Sequence, residues 1–480
     1  MINRRKFLST TSAAGAVSFA GGAGLLSLLG NSAAHAASTD GYKAIVCLFF
    51  LGGQDCHDVV MPYDQASYDE YAGYRSGILT DYAGQPGGSS RARNNILEIN
   101  PTNSADFGSR KFALPTTLSP IKDLFDSGNA AIIGNVGPLI EPLNADELRT
   151  EQKVSPKRLF SHNDQQSTWM ASAPEGEIKG WGGKMADAIL ASNPTQEEIF
   201  TAISTAGNSV FLSGDKAKSY VLDTAGPQQV EGLKNANSNL LLTASQNSDA
   251  VRLLEEHYRD IGASRSNLFE RDLATITDSA FSANEKFSQA LSSAQPFSTA
   301  FPANNVGQQL RAVAEAINLR STLNVGRQVF FVGMGGFDTH NNQAASLGGL
   351  QTAYAQAVAS FYEATVEMGI QNDVTLFTAA DFGRALIENG RGTDHGWGGH
   401  HFVVGGDVIG NKIYGNIPPH TLGHDYDAGN GRLIPQLSVE QYAGTLGKWL
   451  GLNDSELVSA LPALANYAQK DLGFMASSSA

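Results

Sequence analysis

The sequence predicts an α/β protein with a mostly parallel central sheet, helices on both faces and a helical insertion. Three observations carry that prediction. Short, nearly continuous apolar runs recur along the chain, as strands buried on both faces require. Helical stretches alternate with them. Residues 215–305 break the alternation, being rich in Ala, Ser, Asn, Gln and Leu and without a convincing strand.

The first run, Lys43-Ala44-Ile45-Val46-Cys47-Leu48-Phe49-Phe50, is bounded by glycines and reads as a central strand. Runs at Ala130 to Gly134, Arg327 to Val332, Val374 to Ala379 and His401 to Gly405 predict its neighbours. Helices are predicted over Leu118 to Ser127, Val306 to Leu323 and Leu347 to Met368. Helical patterns at Asp249 to Ile261 and Arg271 to Ser293 make 215–305 an insertion or cap within one domain spanning 37–480. In such sheets ligands bind beyond the carboxyl ends of the strands.

A chain of 480 residues with 42% hydrophobic and 17% charged residues can bury a large core, which excludes a disordered, collagen-like or disulfide-stapled class. Its 33 basic against 47 acidic residues argue against a nucleic-acid partner, because phosphate backbones are bound by clustered Lys and Arg.

Residues 1–36 read as a twin-arginine export signal: Arg4-Arg5-Lys6-Phe7-Leu8, a weakly apolar stretch from Ala13 to Gly30, and Ala34-His35-Ala36 before cleavage. The apolar stretch is short and rich in Gly and Ala beside the ~20 strongly apolar residues of a spanning helix, so no stable membrane span is expected in the mature form. The signal holds three basic and no acidic residues, which takes the formal charge from -14 to -17 over the remaining 444 residues. The expected partner in export is the twin-arginine translocase, and the expected location is the periplasm or the exterior. That route carries folded chains, often with a metal already in place. Cys47 falls inside the first strand and Cys56 just beyond it, so free thiols are expected rather than a disulfide.

Chemistry-bearing residues gather after strand ends. Asp55 follows Gly52-Gly53; Asp338 and His340 follow Gly335-Gly336; Asp381 and Arg384 flank Phe382-Gly383; Asp394, His395 and His400 lie in a glycine-rich segment before another strand. Carboxylates with imidazoles suit zinc, manganese or a related divalent ion, one or two in number. Each Asp taken singly also fits an ordinary turn or helix cap. His400 and His401 face opposite ways on a strand, so at most one of them is a direct ligand. Ser161 stands at a predicted helix start, where it is either a nucleophile or an N-cap with Asp164 three residues on.

The segments Phe50-Leu51-Gly52-Gly53-Gln54-Asp55, Phe160-Ser161-His162-Asn163-Asp164-Gln165, Gly180-Trp181-Gly182-Gly183, Gly336-Phe337-Asp338-Thr339-His340, Asp381-Phe382-Gly383-Arg384 and Gly392 to His401 resemble the exported bacterial family catalogued as domain of unknown function 1501. That family is similar to the alkaline phosphatase superfamily of phosphatases, sulfatases and phosphoglycerate mutases. The resemblance implies an alkaline-phosphatase-like fold with one metal on Asp338, His340 and His395 and a second on Asp55, Asp381 and Ser161. It makes Ser161 the nucleophile and Arg384 a clamp for the anionic group. Phe382 stands where the superfamily carries a histidine; either Asp394, His162 or His400 fills the gap, or the second metal is weak or absent. The implied function is periplasmic, metal-dependent hydrolysis of a small-molecule or polymeric phosphate or sulfate ester. The alternative is a non-catalytic exported protein serving in binding or envelope assembly.

Overall fold

A computed structural model describes residues 41–85, 90–227, 244–260 and 267–476. The expected export signal lies outside the described residues. The strand Lys43–Phe50 pairs in parallel with Arg327–Met334 on one side and Val374–Ala380 on the other. Its alternate side chains enter two different cores: Ala44, Val46, Leu48 and Phe50 go to one, Ile45, Cys47 and Phe49 to the other. A strand buried on both faces favours apolar residues at successive positions, which is why the run reads as continuous.

The ten-stranded sheet runs, from one edge, Ile413–Gly415, Ala130–Gly137, Gly399–Gly405, Val374–Ala380, Lys43–Phe50, Arg327–Met334, Ala202–Ser204, Tyr220–Asp223 and Gly226–Pro227. Leu437–Ser438 also pairs with Ala130–Gly137. Helices Ser119–Asp126, Asn305–Asn318 and Gln343–Glu367 cover one face, while Trp181–Ser192 and Val439–Leu450 cover the other. The sheet is mostly parallel, but Gly399–Gly405 is antiparallel to both of its neighbours. This strand therefore begins at the end where its parallel neighbours finish, which delivers residues 392–398 to that same rim.

The insertion departs from expectation at its start. Tyr220–Asp223 and Gly226–Pro227 are strands that extend the sheet, before helices Ala244–Asp260 and Leu268–Ser293. Tyr220–Asp223 is too short to show a period by itself, and its existence depends on the backbone of Ala202–Ser204 alongside it. Leu268–Ser293 buries Ala283, Phe287 and Ala290 in the main core. Among the described residues no helix is long and apolar enough to cross a membrane. Both cysteines are free and buried, and burial pushes the Cys56 thiol up to about 12.

His57 and His420, which from sequence alone look like surface groups or outer neighbours of the site, are buried, as are His400 and His401. Burial pushes the last two down to about 3, against roughly 6.5 in an unfolded chain. A depressed folded value means the native state binds fewer protons, so this stability is present above about pH 6.5 and is lost as pH falls toward 3. We predict that unfolding free energy drops by about 1.4 kcal/mol per pH unit for each such histidine below pH 6.5. Denaturant titrations at pH 7 and pH 5 check this. His401→Phe, which keeps the ring between Trp169 and Tyr442, should remove one share of the slope; an unchanged slope would count against the explanation.

Candidate metal centre

In register, Phe50 lies opposite Ala380 on one side and Met334 on the other, so three strands end level. The turns that follow bring Gly52, Asp338 and Asp381 together. Gly52 has φ +115°, and a Cβ there would stand 2.3 Å from the Asp338 backbone nitrogen, so only glycine fits. Its N–H donates to Asp381 Oδ2 at 3.1 Å. The antiparallel pair Arg384–Glu388 and Thr393–His395 sets Arg384 opposite His395, and the helix His162–Ala171 starts beside them with Ser161 as its N-cap.

Three imidazoles and one carboxylate converge. Asp338 Oδ1 is 3.3 Å from both His395 Nε2 and His340 Nε2, and those two nitrogens are 2.7 Å apart. Asp338 Oδ2 lies 3.5 Å from His162 Nε2. His162, Asp338 and His395 each place one ligand atom within 4.8 Å of the others. Tetrahedral ligands about 2.0–2.1 Å from a zinc ion stand roughly 3.3 Å from one another, which the distances from Asp338 to His395 and His162 match, whereas the 2.7 Å between His340 Nε2 and His395 Nε2 is too short for two ligands of one such ion.

The outward nitrogens explain why the inward ones are free to bind. His162 Nδ1 meets Asp381 Oδ2 at 2.6 Å, His395 Nδ1 meets the Phe160 carbonyl at 2.7 Å, and His340 Nδ1 meets Asp394 Oδ1 at 3.3 Å. The short contacts of His162 and His395 to oxygen acceptors assign their ring protons to Nδ1 and leave a lone pair on each Nε2. The 2.7 Å between His340 Nε2 and His395 Nε2 is a hydrogen-bond distance, with an N–H on one ring donating to the lone pair of the other. The donor set of His162, Asp338 and His395, two nitrogens and a carboxylate, is one that could hold a divalent ion.

The surroundings tune the cluster. Partial burial works against ionisation of Asp338, but the Arg384 guanidinium and the neighbouring His340 and His162 together hold its carboxyl below the usual range. Burial pushes His395 down, favouring the neutral form that a ligand needs. Burial pushes Asp381 up, against hydrogen bonds from Gln166, His162 and the Gly52 N–H. The Phe382 ring packs on His162 and His395, with ring centres 4.9 and 4.6 Å away. It supplies an apolar wall where the resemblance leads one to look for a histidine. Phe160 has φ +71°, a conformation costing a bulky residue about 1–3 kcal/mol, and it aims its carbonyl at His395.

Other candidates from the sequence are placed differently. Asp55 is fully buried against Arg75 at 2.6 and 3.0 Å and also accepts from Gln343 at 2.6 Å and from the His57 N–H at 3.2 Å, so both oxygens are engaged away from the cluster. Asp381 reaches the cluster through His162. Ser161 Oγ donates to Asp164 Oδ2 at 2.9 Å. Asp394 accepts from Asn389 at 2.9 Å and backs His340. His400 accepts from the Asn135 N–H at 3.0 Å, within the sheet. Arg384 is no free clamp: it is buried and donates to Gly52 O at 2.8 Å, Asp338 Oδ1 at 3.2 Å and the Thr393 carbonyl and hydroxyl at 3.0 Å. His162 is the residue the sequence undervalues. Its spacing to Gln166 puts both on one helix face, where both reach the same Asp381 oxygen.

A family model described as a protein of unknown function, DUF1501, matches residues 42–461. No curated protein matches the chain. Among solved structures, Ps i-CgsB in complex with k-i-k-neocarrahexaose is similar at 10% identity and TM-score 0.35, over 89% of this chain and 77% of that one. A multiply substituted alkaline phosphatase PafA is similar at 12% identity and TM-score 0.25, over 72% and 63%. A 2-O GAG sulfatase is similar at 10% identity and TM-score 0.27, over 86% and 71%.

Replacing Asp338 by Asn or His395 by Gln should abolish stoichiometric zinc uptake, read by calorimetry and elemental analysis. Asp394→Asn should weaken it about 10–100-fold, as loss of an oriented outer partner does. Asp55→Asn should leave zinc affinity within a few-fold but cost roughly 3–5 kcal/mol of stability, because it strands the buried Arg75. Loss of zinc uptake in a stably folded Asp55→Asn protein would reinstate Asp55 as a ligand.

Proposed function

Because the chain belongs to the DUF1501 family, whose description carries no activity, we propose its function from its own site: an exported, metal-dependent hydrolase of phosphate or sulfate esters. The observation that carries this reading is the convergence of His162, Asp338 and His395, with the Nδ1 atoms of both imidazoles anchored on oxygen acceptors. These three residues would hold the ion, with His340 beside them. A divalent cation there supplies Lewis acidity toward a phosphoryl or sulfuryl oxygen. The twin-arginine signal supports a periplasmic or secreted location.

The remaining steps belong to the chain. Ser161 is the N-cap residue between Phe160, whose carbonyl meets His395, and His162. Its hydrogen bond to Asp164 Oδ2 gives the proton a destination as Oγ attacks phosphorus or sulfur and the ester oxygen departs. Asp164 is itself buried and touched by Arg158 at 3.3 Å, which keeps its carboxylate in place. Asp381 and Gln166 orient His162, Asp394 orients His340, and Arg384 fixes Asp338. The consumption of Asp55 and Arg384 in structural bonds favours a one-ion centre, and it is also what favours the alternative of a binding protein without turnover.

A panel of aryl phosphate and sulfate monoesters and diesters with the zinc- or manganese-loaded mature chain separates the two. Turnover is expected. Ser161→Ala should eliminate covalent labelling of the chain by the transferred group, and Asp164→Asn should lower kcat by roughly 10²–10⁴. Undiminished hydrolysis by Ser161→Ala would remove the nucleophile assignment, and a loaded chain inert toward the whole panel would leave the binding role.

A further inference from the structure

The helix Leu268–Ser293 carries an apolar seam longer than the surface it packs on. Phe269, Leu273, Ile276 and Ala280 follow one another at spacings of four, three and four residues, and Ala283, Phe287 and Ala290 continue the same repeat. That repeat keeps one stripe of a helix turned toward a partner. The last three of these residues are buried in the main core. The first three are not: Phe269 is 84% exposed, Leu273 61% and Ile276 66%. Single exposed apolar residues are ordinary, but large ones left in a continuous row mark an interaction surface.

Where the exposed half of the seam meets the body of the protein, it forms one wall of a groove of about 760 Å³. Ile276, Ala280 and Ala283 line the helix side, and Phe200, Tyr220 and Val221 line the side of the sheet. The walls are fixed to each other. The Tyr220 hydroxyl donates to Asn284 Oδ1 at 2.8 Å, Lys286 meets Glu197 at 2.6 Å, and the rings of Phe200, Tyr220 and Phe287 pack with centres 5.2 to 6.1 Å apart. The exposed seam therefore has a bulky end at Phe269 and a small end at Ala280, and the small end opens on an apolar hollow.

We propose that this face pairs with the same face of a second copy of the chain, the two helices antiparallel about a two-fold axis, each Phe269 entering the groove of the other copy over Ala280. A two-fold contact needs a patch that complements itself. An axis between Leu273 and Ile276 meets that need: it sets Phe269 against Ala280, and Leu273 against Ile276, of the second copy. The same register turns Glu270 toward Thr277 and Asp272 toward Ser279, so acids meet hydroxyls and like charges stay apart. It also sends the two bodies to opposite ends of the pair, since each helix joins its own core only from Ala283 onward. With the groove walls counted, the two copies cover on the order of 1,000 Å², which a specific interface needs. Glu270 and Asp272 beside the stripe disfavour an anionic lipid surface as its occupant. The inference is independent of the metal reading.

Sedimentation velocity with circular dichroism on the mature chain tests it. Wild type should form a dimer that dissociates on dilution. Phe269→Asp and Ile276→Asp, both at exposed positions, should give monomers with unchanged circular dichroism, and the milder Phe269→Ala should raise the dimer dissociation constant about tenfold or more. Mixed Phe269→Cys and Ala280→Cys chains should form an interchain disulfide that neither forms alone, the natural cysteines being buried. A wild type monomeric at every concentration, or a dimer that survives both aspartates, would overturn the proposal. Cross-linking of Phe269→Cys with itself would overturn the antiparallel register. A monomeric wild type that cosediments with phosphatidylglycerol vesicles would give the stripe to a lipid surface instead.

Discussion

The site depends on one buried cation. Arg384 reaches from the start of its strand to the carbonyl of Gly52, to Asp338 and to the carbonyl and hydroxyl of Thr393, so a single guanidinium ties the turns that follow two strands to the start of a third. Taking a charge out of water is costly, and burial lowers the pKa of this arginine accordingly. The cost is offset because a planar group with five donors can satisfy several carbonyls and a carboxylate at once, which a lysine cannot do. The arrangement holds Asp338 ionised and aimed at the imidazoles, a requirement for any ligand role.

Two further buried arginines repeat the device below the rim. Arg75 closes on Asp55 and on the carbonyls of Ala385 and Leu386, and Arg91 closes on Asp58. The segment after the first strand is therefore a framework of ion pairs, and the cations it buries are part of why so acidic a chain can fold around a cluster of carboxylates.

The imidazoles are fixed from outside the cluster by three unlike acceptors: the buried Asp381, the half-exposed Asp394 and the strained Phe160 carbonyl. Each acceptor comes from a different part of the chain. Convergence of this kind lowers the entropy cost of assembling ligands around an ion, since the rings are oriented before it arrives. Phe382 and Gly53 make the contact beneath them tight: a Cβ on Gly53 would stand 2.3 Å from the Phe382 ring.

Much of this was legible in the sequence, because some signals are local. The continuous apolar run Lys43 to Phe50 reads as a strand covered on both faces, and glycines before Asp55 and Asp338 mark turns at strand ends, so the α/β class and the rim location follow from residue order. The grouping of Asp338, His340 and His395 came from motif resemblance, and the structure brings those residues together. Partner choice is another matter. Nothing near Asp55 in sequence announces Arg75 as its counter-ion, nothing near Arg384 announces Gly52 and Thr393, and the direction of Gly399–Gly405 is not written in its apolar residues. Those were decided by the tertiary structure, for a physical reason: a buried charge takes the partner that packing places within about 3 Å, however far away it lies in the chain.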